Sequence, residues 1–258
     1  MSEKTLPKDT QSREKKPVDS VAHDVFILVM ITLAAGLLLG AAYGITKEPI
    51  AAAQAREKEE AQRSVMQRAD SFAVLMQSEK SAGDSAEETG NSADLVKTVE
   101  EALAEKGITN TAVEQIDQAI DSAGNTAGYV VTSTNSEGYG GAVELMCGIS
   151  ADEAGALTIE GISFLTLTET AGMGMRAKEA AFTGQFPGKV ISPGEALVYT
   201  KDGASAENEI DAISGCTVTT SAVTKDINAA LEAVRVLQEQ PEDTADTDAG
   251  REGFDEED

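Results

Sequence analysis

The feature that most constrains this chain is an uncharged apolar run near its start. Residues 25–45, VFILVMITLAAGLLLGAAYGI, contain no charged side chain over 21 positions. A helix rises about 1.5 Å per residue, so this run is long enough for the ~30 Å hydrocarbon core of a bilayer. The alternative is a cleaved signal peptide, whose apolar region usually has about 7–15 residues followed by a small-residue cleavage site. The run therefore predicts one transmembrane helix, with the lipid bilayer as a partner.

Basic residues flank the apolar run unevenly. Lys and Arg precede it at Lys4, Lys8, Arg13, Lys15 and Lys16, and follow it closely at Lys47, Arg56 and Lys58. Cytoplasmic flanks carry the excess of Lys and Arg. We therefore expect a single-pass protein of the cell (inner) membrane, with a cytoplasmic N-terminal segment 1–24 and an extracytoplasmic C-terminal domain.

The chain is strongly acidic, with 45 Asp and Glu against 20 Lys and Arg and a formal net charge of -25. Binding to phosphate backbones requires Lys and Arg to displace counterions, so nucleic acid is excluded as a partner. Residues 239–258 include ten acidic residues and one Arg. This composition predicts a disordered acidic tail that keeps the chain solvated.

Composition divides the rest of the chain into a stalk and a domain. Residues 48–76 are rich in Ala, Glu and Gln and lack Gly, which predicts a helix that continues outward from the membrane. Residues 77–94 have Gly, Ser and acids with no apolar side chain larger than Ala, which predicts a loop. Residues 46–94 are thus interpreted as a helical stalk and an acidic polar loop, and residues 95–238 as the folded domain.

The domain begins with a short predicted helix, 95–106, ended by Gly107, and continues in β-rich runs. These runs are bounded by Gly, Asn, Ser or Pro and read TAVEQIDQAI, AGYVVTSTN, GAVELMCGIS, ALTIEGISFLTLT and GKVISPGEALVYT. KEAAFTGQF predicts a helical turn between the last two runs. Apolar residues spaced by three or four predict a final amphipathic helix through Val223, Ile227, Leu231, Val234 and Leu237. The expected fold class is α+β: one transmembrane helix, then a small twisted sheet with flanking helices.

The stretch DAISGCTVTTSAV, residues 211–223, places hydroxyl side chains and a Gly-Cys pair directly before this last helix. The unpaired N–H groups at a helix N-terminus bind anions such as phosphate. Gly215 would allow close backbone approach, and Ser or Thr would donate and accept hydrogen bonds. Ser and Thr are also favoured N-caps, so the stretch alone leaves a purely structural role open.

Residues 211–217, DAISGCT, resemble the D-x-x-[ST]-G-A-T signature of the FMN-binding domain. That domain occurs in the G subunit of Rnf-type electron-transport complexes and in the C subunit of sodium-pumping NADH:quinone oxidoreductases. Further blocks resemble the Rnf subunit in the same order: TKEPIAAAQ, AGYV, GYGGAVELMCGI, ETAGMG and FTGQFPGK. The GYGG and QFPGK blocks favour the Rnf subunit over its quinone-reductase relative.

The resemblance implies a covalent cofactor. FMN would be joined to Thr217 through a phosphoester bond, added outside the cytoplasm by a flavin transferase. Asp211, Ser214 and Gly215 would shape the turn and be recognised by the transferase. The helix from about Thr219 would stabilise the phosphate.

The resemblance also implies a Gly-rich loop near the isoalloxazine ring. Its members would be Glu169, Thr170, Gly172 and Gly174, with a plain β-turn as the alternative. Residues 167–174 read LTETAGMG where the family has H-x-E-T-P-G-[LM]-G, so the His and the Pro are missing. The lost His weakens any assignment of one particular hydrogen bond to the flavin, whereas the E-T-x-G-x-G core remains.

The two cysteines leave one question open. Outside the cytoplasm, Cys147 and Cys216 could form a disulfide if their Cα atoms came within about 7 Å; the alternative is two small buried thiols. Cys216 stands where the family has Ala, and we expect the transferase to accept this small change. His23 is the single histidine, so no His follows the apolar run. We therefore expect no metal site and no catalytic residue of the hydrolase type.

The function that the resemblance implies is electron transfer. The chain would be a subunit of a membrane complex that couples electron flow between ferredoxin and NAD to Na⁺ or H⁺ translocation, with the integral membrane subunits as partners. It would be an enzyme only as part of that ion-translocating ferredoxin:NAD oxidoreductase. Two alternatives remain: a membrane-tethered extracellular flavin reductase, and a cofactor-free tethered binding or sensory domain.

Overall fold

The computed structural model describes residues 18–78 and 91–239. The first helix, α1, spans Val18–Val65, and the chain divides into two compact units, Met1–Ala55 and Arg56–Asp258. In the first unit the side chains of residues 23–47 are all exposed. The α1 segment His23–Val65 is long and apolar enough to cross a membrane, with a mean hydropathy of 2.6 over its most apolar stretch. A signal sequence near an N-terminus would meet the same criteria, so the transmembrane anchor stays a prediction.

Three predictions concern residues outside those that the structure describes. Within the N-terminal segment 1–24, residues 1–17 are not described. Within the acidic loop 77–94, residues 79–90 are not described. The acidic tail 239–258 lies outside the described residues from residue 240.

The second unit is a six-stranded antiparallel sheet with helices on it. In sheet order the strands are β1 (Ser71–Gln77), β2 (Thr111–Ile120), β3 (Thr126–Asn135), β4 (Val143–Ala151), β5 (Leu157–Leu167) and β6 (Lys189–Ile191). The helices are α2 (Asn91–Glu105), a 3₁₀ turn (Gly174–Lys178), α3 (Ala180–Thr183) and α4 (Thr217–Glu239). A separate parallel pair is formed by β7 (Val198–Thr200) and β8 (Glu209–Asp211). The α+β class and the final amphipathic helix are confirmed.

The predicted helix over residues 48–76 is wrong beyond Val65. The segment SFAVLMQ forms β1 instead and pairs antiparallel with β2, where Ser71 faces Ile120. Met76 is fully buried in the core, and Phe72 packs on the opposite face of the sheet. Pairing and burial thus outweigh the helical preference of Ala, Leu, Met and Gln, because tertiary packing overrides local propensity. The folded unit accordingly begins at Arg56, well before residue 95.

The core lies between the sheet and α4. This helix packs across β3 and β4 and also against α2. Val223, Ile227, Leu231 and Val234 are each 0% exposed, so the apolar face predicted from the sequence is the buried face. Burying four such side chains contributes on the order of 6 kcal/mol or more to folding, which fixes the position of α4 on the sheet.

The opposite face of the sheet receives the end of α1. Val65, which is 1% exposed, lies against a pair of glycines that face each other across β4 and β5, Gly148 and Gly161. Met66, which is 0% exposed, lies beside Gly128 on β3. A Cβ atom on Gly148 would lie 2.2 Å from the carbonyl oxygen of Val65, and one on Gly161 would lie 3.3 Å from its Cα. The helix end therefore reaches the sheet only because Gly148 has no side chain, whereas a methyl group at Gly161 would need a small shift.

A buried polar chain holds the same part of α1. Lys58 Nζ donates to Gln115 Oε1 at 2.5 Å, and Gln62 Nε2 donates to Asp117 Oδ2 at 2.8 Å. Gln115 Nε2 in turn donates to Asp117 Oδ1 at 2.6 Å. Burial raises the pKa of Asp117, while these hydrogen bonds and the Lys58 charge act in the opposite direction. Residues 58–66 are thus an integral part of the folded unit.

We expect Gly148→Ala to lower the free energy of unfolding by about 1–3 kcal/mol or more, because the new methyl group meets main-chain atoms that cannot move aside. Gly161→Ala is the matched control: it adds the same atom to the facing residue at a distance that needs only a small adjustment. Denaturant unfolding of the full chain in detergent measures both variants. Equal losses in the two would contradict the close approach of Val65.

Asp226 is a buried carboxyl group on the sheet-facing side of α4. It is 0% exposed, and neither carboxyl oxygen has a hydrogen-bond partner among the described residues. Burial raises its pKa to about 8, and the nearby Ser133 and Asn135 offset this only in part. Between the ordinary pKa of 3.8 and about 8, the folded protein therefore keeps a proton that the unfolded chain has released. In this window the folded state loses stability as the pH rises.

We expect Asp226→Asn to reduce the loss of stability between about pH 5 and pH 8, by on the order of 1 kcal/mol or more, because the amide does not ionise. Denaturant unfolding at the two pH values measures this change. Asp121→Asn is the control: main-chain N–H groups of Asn125 and Ala123 lower the pKa of Asp121, so it adds no slope in this window. An unchanged slope in the Asp226 variant would mean that this carboxyl group is ionised in the folded state.

Candidate functional site

The hydroxyl-rich stretch forms a tight turn that leads from β8 into α4. Cys216 N–H donates to the carbonyl of Ile213 at 2.9 Å, and Gly215 adopts a φ of +78°, a left-handed conformation that favours glycine. Thr220 N–H donates to the carbonyl of Cys216 at 3.0 Å, which is the first helical hydrogen bond. Cys216 is therefore the N-cap residue, and Thr217 is the first residue of α4.

Thr220, which the sequence analysis did not single out as a site residue, locks this turn. Its buried hydroxyl accepts a hydrogen bond from the N–H of Ile213 at 3.1 Å and donates one to the carbonyl of Cys216 at 3.0 Å. One side chain thus ties the start of the turn to the start of the helix. The signal was the second Thr of the Thr-Thr pair, four residues after the N-cap residue, where a hydroxyl can bond back to the i−4 carbonyl.

The first turn of α4 presents free N–H groups beside a hydroxyl side chain. In an α-helix the N–H groups of the first residues, here 217–219, have no acceptor within the helix. Thr217 is half-buried and Val218 is 49% exposed, whereas Thr219 is 1% exposed. The side chain of Thr219 therefore faces the interior, and this residue offers an anion only its main-chain N–H.

An open cavity of about 430 Å³ lies beside this first turn. Its lining residues come from three parts of the fold: Thr217, Val218 and Ser221 on α4, Tyr199 on β7, and Glu137 two residues after β3. Thr217 and Ser221 are one helical turn apart, so both hydroxyl groups belong to the same face of α4. The cavity joins hydroxyl groups and apolar surface to a single carboxylate.

The carboxylate of Glu137 is held from two sides. Lys225 Nζ forms an ion pair with Glu137 Oε2, and Asn110 Nδ2 donates to Oε1 at 2.7 Å. Hydrogen bonding by Lys225, and then by Asn110, lowers the pKa of Glu137. The group is ionised at neutral pH and has a fixed position in the cavity wall.

Glu169 joins two loops. Its Oε1 accepts a hydrogen bond from Tyr139 N–H at 2.9 Å, and its Oε2 accepts one from Gly140 N–H at 3.2 Å. A Cβ atom on Gly174 would lie 2.6 Å from Oε2, so this loop closes only over a glycine. Both oxygens of the 8% exposed carboxylate therefore serve the protein backbone. Glu169 positions the GYGG loop against the E-T-x-G-x-G loop.

The remaining predicted loop residues form a hydrogen-bonded turn. The carbonyl of Thr170 accepts from Met173 N–H at 3.1 Å and from Met175 N–H at 3.2 Å, and Gly172 has a φ of +73°. Thr170 and Gly172 are exposed, and Gly174 is buried. None of these residues lines the cavity beside Thr217. Their closeness to a flavin ring stays a prediction.

Asp211 and Ser214 lie at the entrance of the turn, and both are exposed. Asp211 Oδ1 accepts a hydrogen bond from Ala204 N–H at 2.6 Å. Its main-chain N–H and carbonyl bond the side chain of Gln185 at 2.7 and 3.3 Å. The structure thus brings Asp211, Ser214, Gly215 and Thr217 together around one turn and gives Asp211 a role in shaping it.

The cysteines are separate, buried thiols, and both are free. Burial raises the pKa of the Cys147 thiol. Cys216 is 7% exposed at the N-cap. Among the described residues, no three His, Cys, Asp or Glu side chains are grouped as metal ligands would be. That the chain holds no metal stays a prediction.

The turn and four of the five residues that line the cavity lie within a segment that resembles a known domain family, and Glu137 directly precedes that segment. The FMN-binding domain family matches residues 138–232, which include Glu169, the turn and most of α4. Among solved structures, the C subunit of the Na⁺-translocating NADH-quinone reductase from Parabacteroides distasonis has a TM-score of 0.42 and 22% identity. That match covers 67% of this chain and 80% of the other.

Three relatives carry related names. The G subunit of the Na⁺-translocating ferredoxin:NAD⁺ oxidoreductase complex of Acetobacterium woodii is 40% identical over 118 residues, 45% of this chain and 53% of that protein. The G subunit of the proton-translocating ferredoxin:NAD⁺ oxidoreductase complex of Clostridium ljungdahlii is 36% identical over 116 residues, 45% and 58%. These two matches span little more than half of the relatives' lengths.

The third relative matches almost end to end. The G subunit of the ion-translocating oxidoreductase complex of Methanosarcina acetivorans is 30% identical over 210 residues, which is 81% of this chain and 92% of that protein. With an FMN-binding domain over residues 138–232, this chain belongs to the family of G subunits of ion-translocating (Rnf-type) oxidoreductase complexes.

Proposed function

We propose that this chain is an electron-transfer subunit that carries FMN on Thr217 through a phosphoester bond. It would act in a membrane complex that couples electron flow between ferredoxin and NAD to ion translocation. One observation carries the proposal: within the residues matched by the FMN-binding domain, Thr217 is the first residue of α4 and lines an open cavity.

The residues around Thr217 suit a flavin nucleotide. The N–H groups of residues 217–219 and the positive end of the α4 dipole favour a phosphate at the hydroxyl of Thr217. Ser221 offers a second hydroxyl group, and Val218 and Tyr199 offer an apolar wall. FMN supplies reversible electron uptake and release when bound, and the protein supplies attachment, orientation and electrostatics.

A covalent bond fits the expected place of the domain. On the outer side of a membrane, a cofactor held only by contacts would be lost by dissociation into a large volume, and an ester removes that route. We propose that the N-terminus is cytoplasmic and that the folded unit is extracytoplasmic. There a flavin transferase would modify Thr217, with Asp211, Ser214 and Gly215 as the turn that it recognises.

The proposed partners are the integral membrane subunits of the same complex. The named complexes of the relatives translocate Na⁺ in one case and protons in another, so the coupling ion here is Na⁺ or H⁺. Electron transfer requires short distances between redox groups. A chain anchored beside its partners meets this requirement better than a freely diffusing one does.

We expect Thr217→Val to abolish FMN attachment, because it removes the hydroxyl group and keeps the shape of the side chain. The full chain is produced with a flavin transferase, and the denatured protein is examined for flavin fluorescence and intact mass. The control is Thr98→Ala on α2, a threonine whose hydroxyl bonds its own helix at Asp94 and does not line the cavity. A wild-type band without flavin, or flavin retained by Thr217→Val, would refute the assignment.

The same preparation separates the alternatives. A cofactor-free binding or sensory domain gives no added mass under any condition. A tethered flavin reductase gives the flavin but purifies alone from its native membrane. We expect the wild-type chain, solubilised in mild detergent, to purify with integral membrane subunits and with its flavin. Isolation as a monomer that carries the flavin and reduces free electron acceptors would favour the reductase.

A further inference from the structure

Three polar side chains occupy one face of α4 at intervals of four residues: Thr217, Ser221 and Lys225. Two of them line the cavity, and Lys225 forms its ion pair with a third lining residue, Glu137. Side chains of a helix point towards its N-terminus, so Lys225 reaches back towards the level of Ser221. The ammonium group of Lys225 therefore holds Glu137 in the cavity wall from a position two helical turns after Thr217.

The electrostatics of this cavity oppose the ligand proposed for it. The chain has a net charge of -25, and Glu137 is the single acidic residue among the described residues that line the cavity. A flavin nucleotide brings a negative phosphate to the same space. Like charges at short range repel, and the α4 dipole alone supplies only about half a positive charge. The carboxylate must be neutralised if the phosphate is to approach Thr217.

We propose that Lys225 is a positioning residue for flavin attachment: by pairing with Glu137 it cancels the negative charge beside Thr217 and so admits an anionic flavin nucleotide. This inference rests on the proposed function, since it takes Thr217 as the attachment residue. Asn110 contributes by holding the other oxygen of Glu137, which keeps the carboxylate in reach of Lys225.

The charge of Glu137 acts on the step in which the flavin phosphate is transferred to Thr217. The bond that forms joins Thr217 Oγ to the FMN phosphorus. The bond that breaks is the pyrophosphate P–O bond of a flavin dinucleotide donor, and a nucleoside monophosphate leaves. The hydroxyl proton of Thr217 passes to solvent or to the transferase. No electron is gained or lost, and the product is a phosphodiester that still carries one negative charge next to Glu137.

The test is a charge cycle on the full chain. Lys225→Met keeps most of the side-chain length and the helix preference but leaves Glu137 without its cationic partner. Glu137→Gln removes the negative charge. The rate of mass gain at Thr217 is measured with flavin dinucleotide and transferase. Glu137 and Lys225 are 37% and 40% exposed and thus partly screened. We expect Lys225→Met to be slower by roughly two- to tenfold at low salt, with a smaller effect at high salt.

The double variant makes the test decisive. We expect Glu137→Gln to attach flavin at the wild-type rate or faster, and Glu137→Gln/Lys225→Met to recover most of the lost rate. The control is Lys106→Met, which breaks another Lys–Glu pair: Lys106, directly after α2, lies 3.7 Å from Glu232 on α4, and neither residue lines the cavity. We expect it to match the wild type. Unfolding curves establish that all four variants are folded.

Three outcomes would overturn the inference: a wild-type rate in Lys225→Met at low salt, a double variant as slow as Lys225→Met, or a Glu137→Gln variant as slow as Lys225→Met. Each of them leaves Thr217 as the attachment site. A wild-type chain that gains no flavin at Thr217 refutes the proposed function instead, so the two failures are distinguishable.

Discussion

The packing of α4 across the sheet determines the geometry of everything around Thr217. Its apolar face is buried against β3 and β4, which fixes both the axis of the helix and its rotation. The hydroxyl of Thr220 then ties the preceding turn to the helix start through Ile213 and Cys216. Because the helix and the turn are both held in place, the side chain of Thr217 lies at the wall of the cavity. A hydroxyl group beside free N–H groups follows from these two constraints.

The glycines act together in this fold because they let backbones approach each other. Gly148 and Gly161 admit the end of α1 to one face of the sheet, and Gly174 admits the carboxylate of Glu169 to its loop. In each case a buried or half-buried element lies where a Cβ atom would otherwise be. The unit is therefore held from both faces of one sheet, with α4 on one side and residues 58–66 on the other.

Charge is managed locally in a chain with a large excess of acid. Asp226 keeps its proton inside the core, and Asp117 is held by amide groups and Lys58. Glu169 accepts hydrogen bonds from two main-chain N–H groups. Glu137 forms an ion pair with Lys225 and accepts a hydrogen bond from Asn110. In each of these four groups a retained proton, hydrogen bonds or an ion pair offsets the free-energy cost of removing a carboxylate from water. The result is an acidic protein in which the one acidic residue lining the cavity beside Thr217 is paired with a lysine.

The sequence by itself determined what depends on local pattern: the uncharged run of residues 25–45, the β-rich runs of the sheet, the buried face of α4 and the turn signature ending at Thr217. It failed at β1, because a strand at the sheet edge is decided by its partner β2 and not by its own composition. Only the tertiary structure placed Glu137, Tyr199 and Ser221 around the same cavity as Thr217. It also buried the side chain of Thr219 and bound the carboxylate of Glu169 to main-chain N–H groups. The cavity thus brings together residues as distant in the chain as Glu137 and Thr217. A periodic pattern carries no signal for them, since it reports only which face of an element is buried.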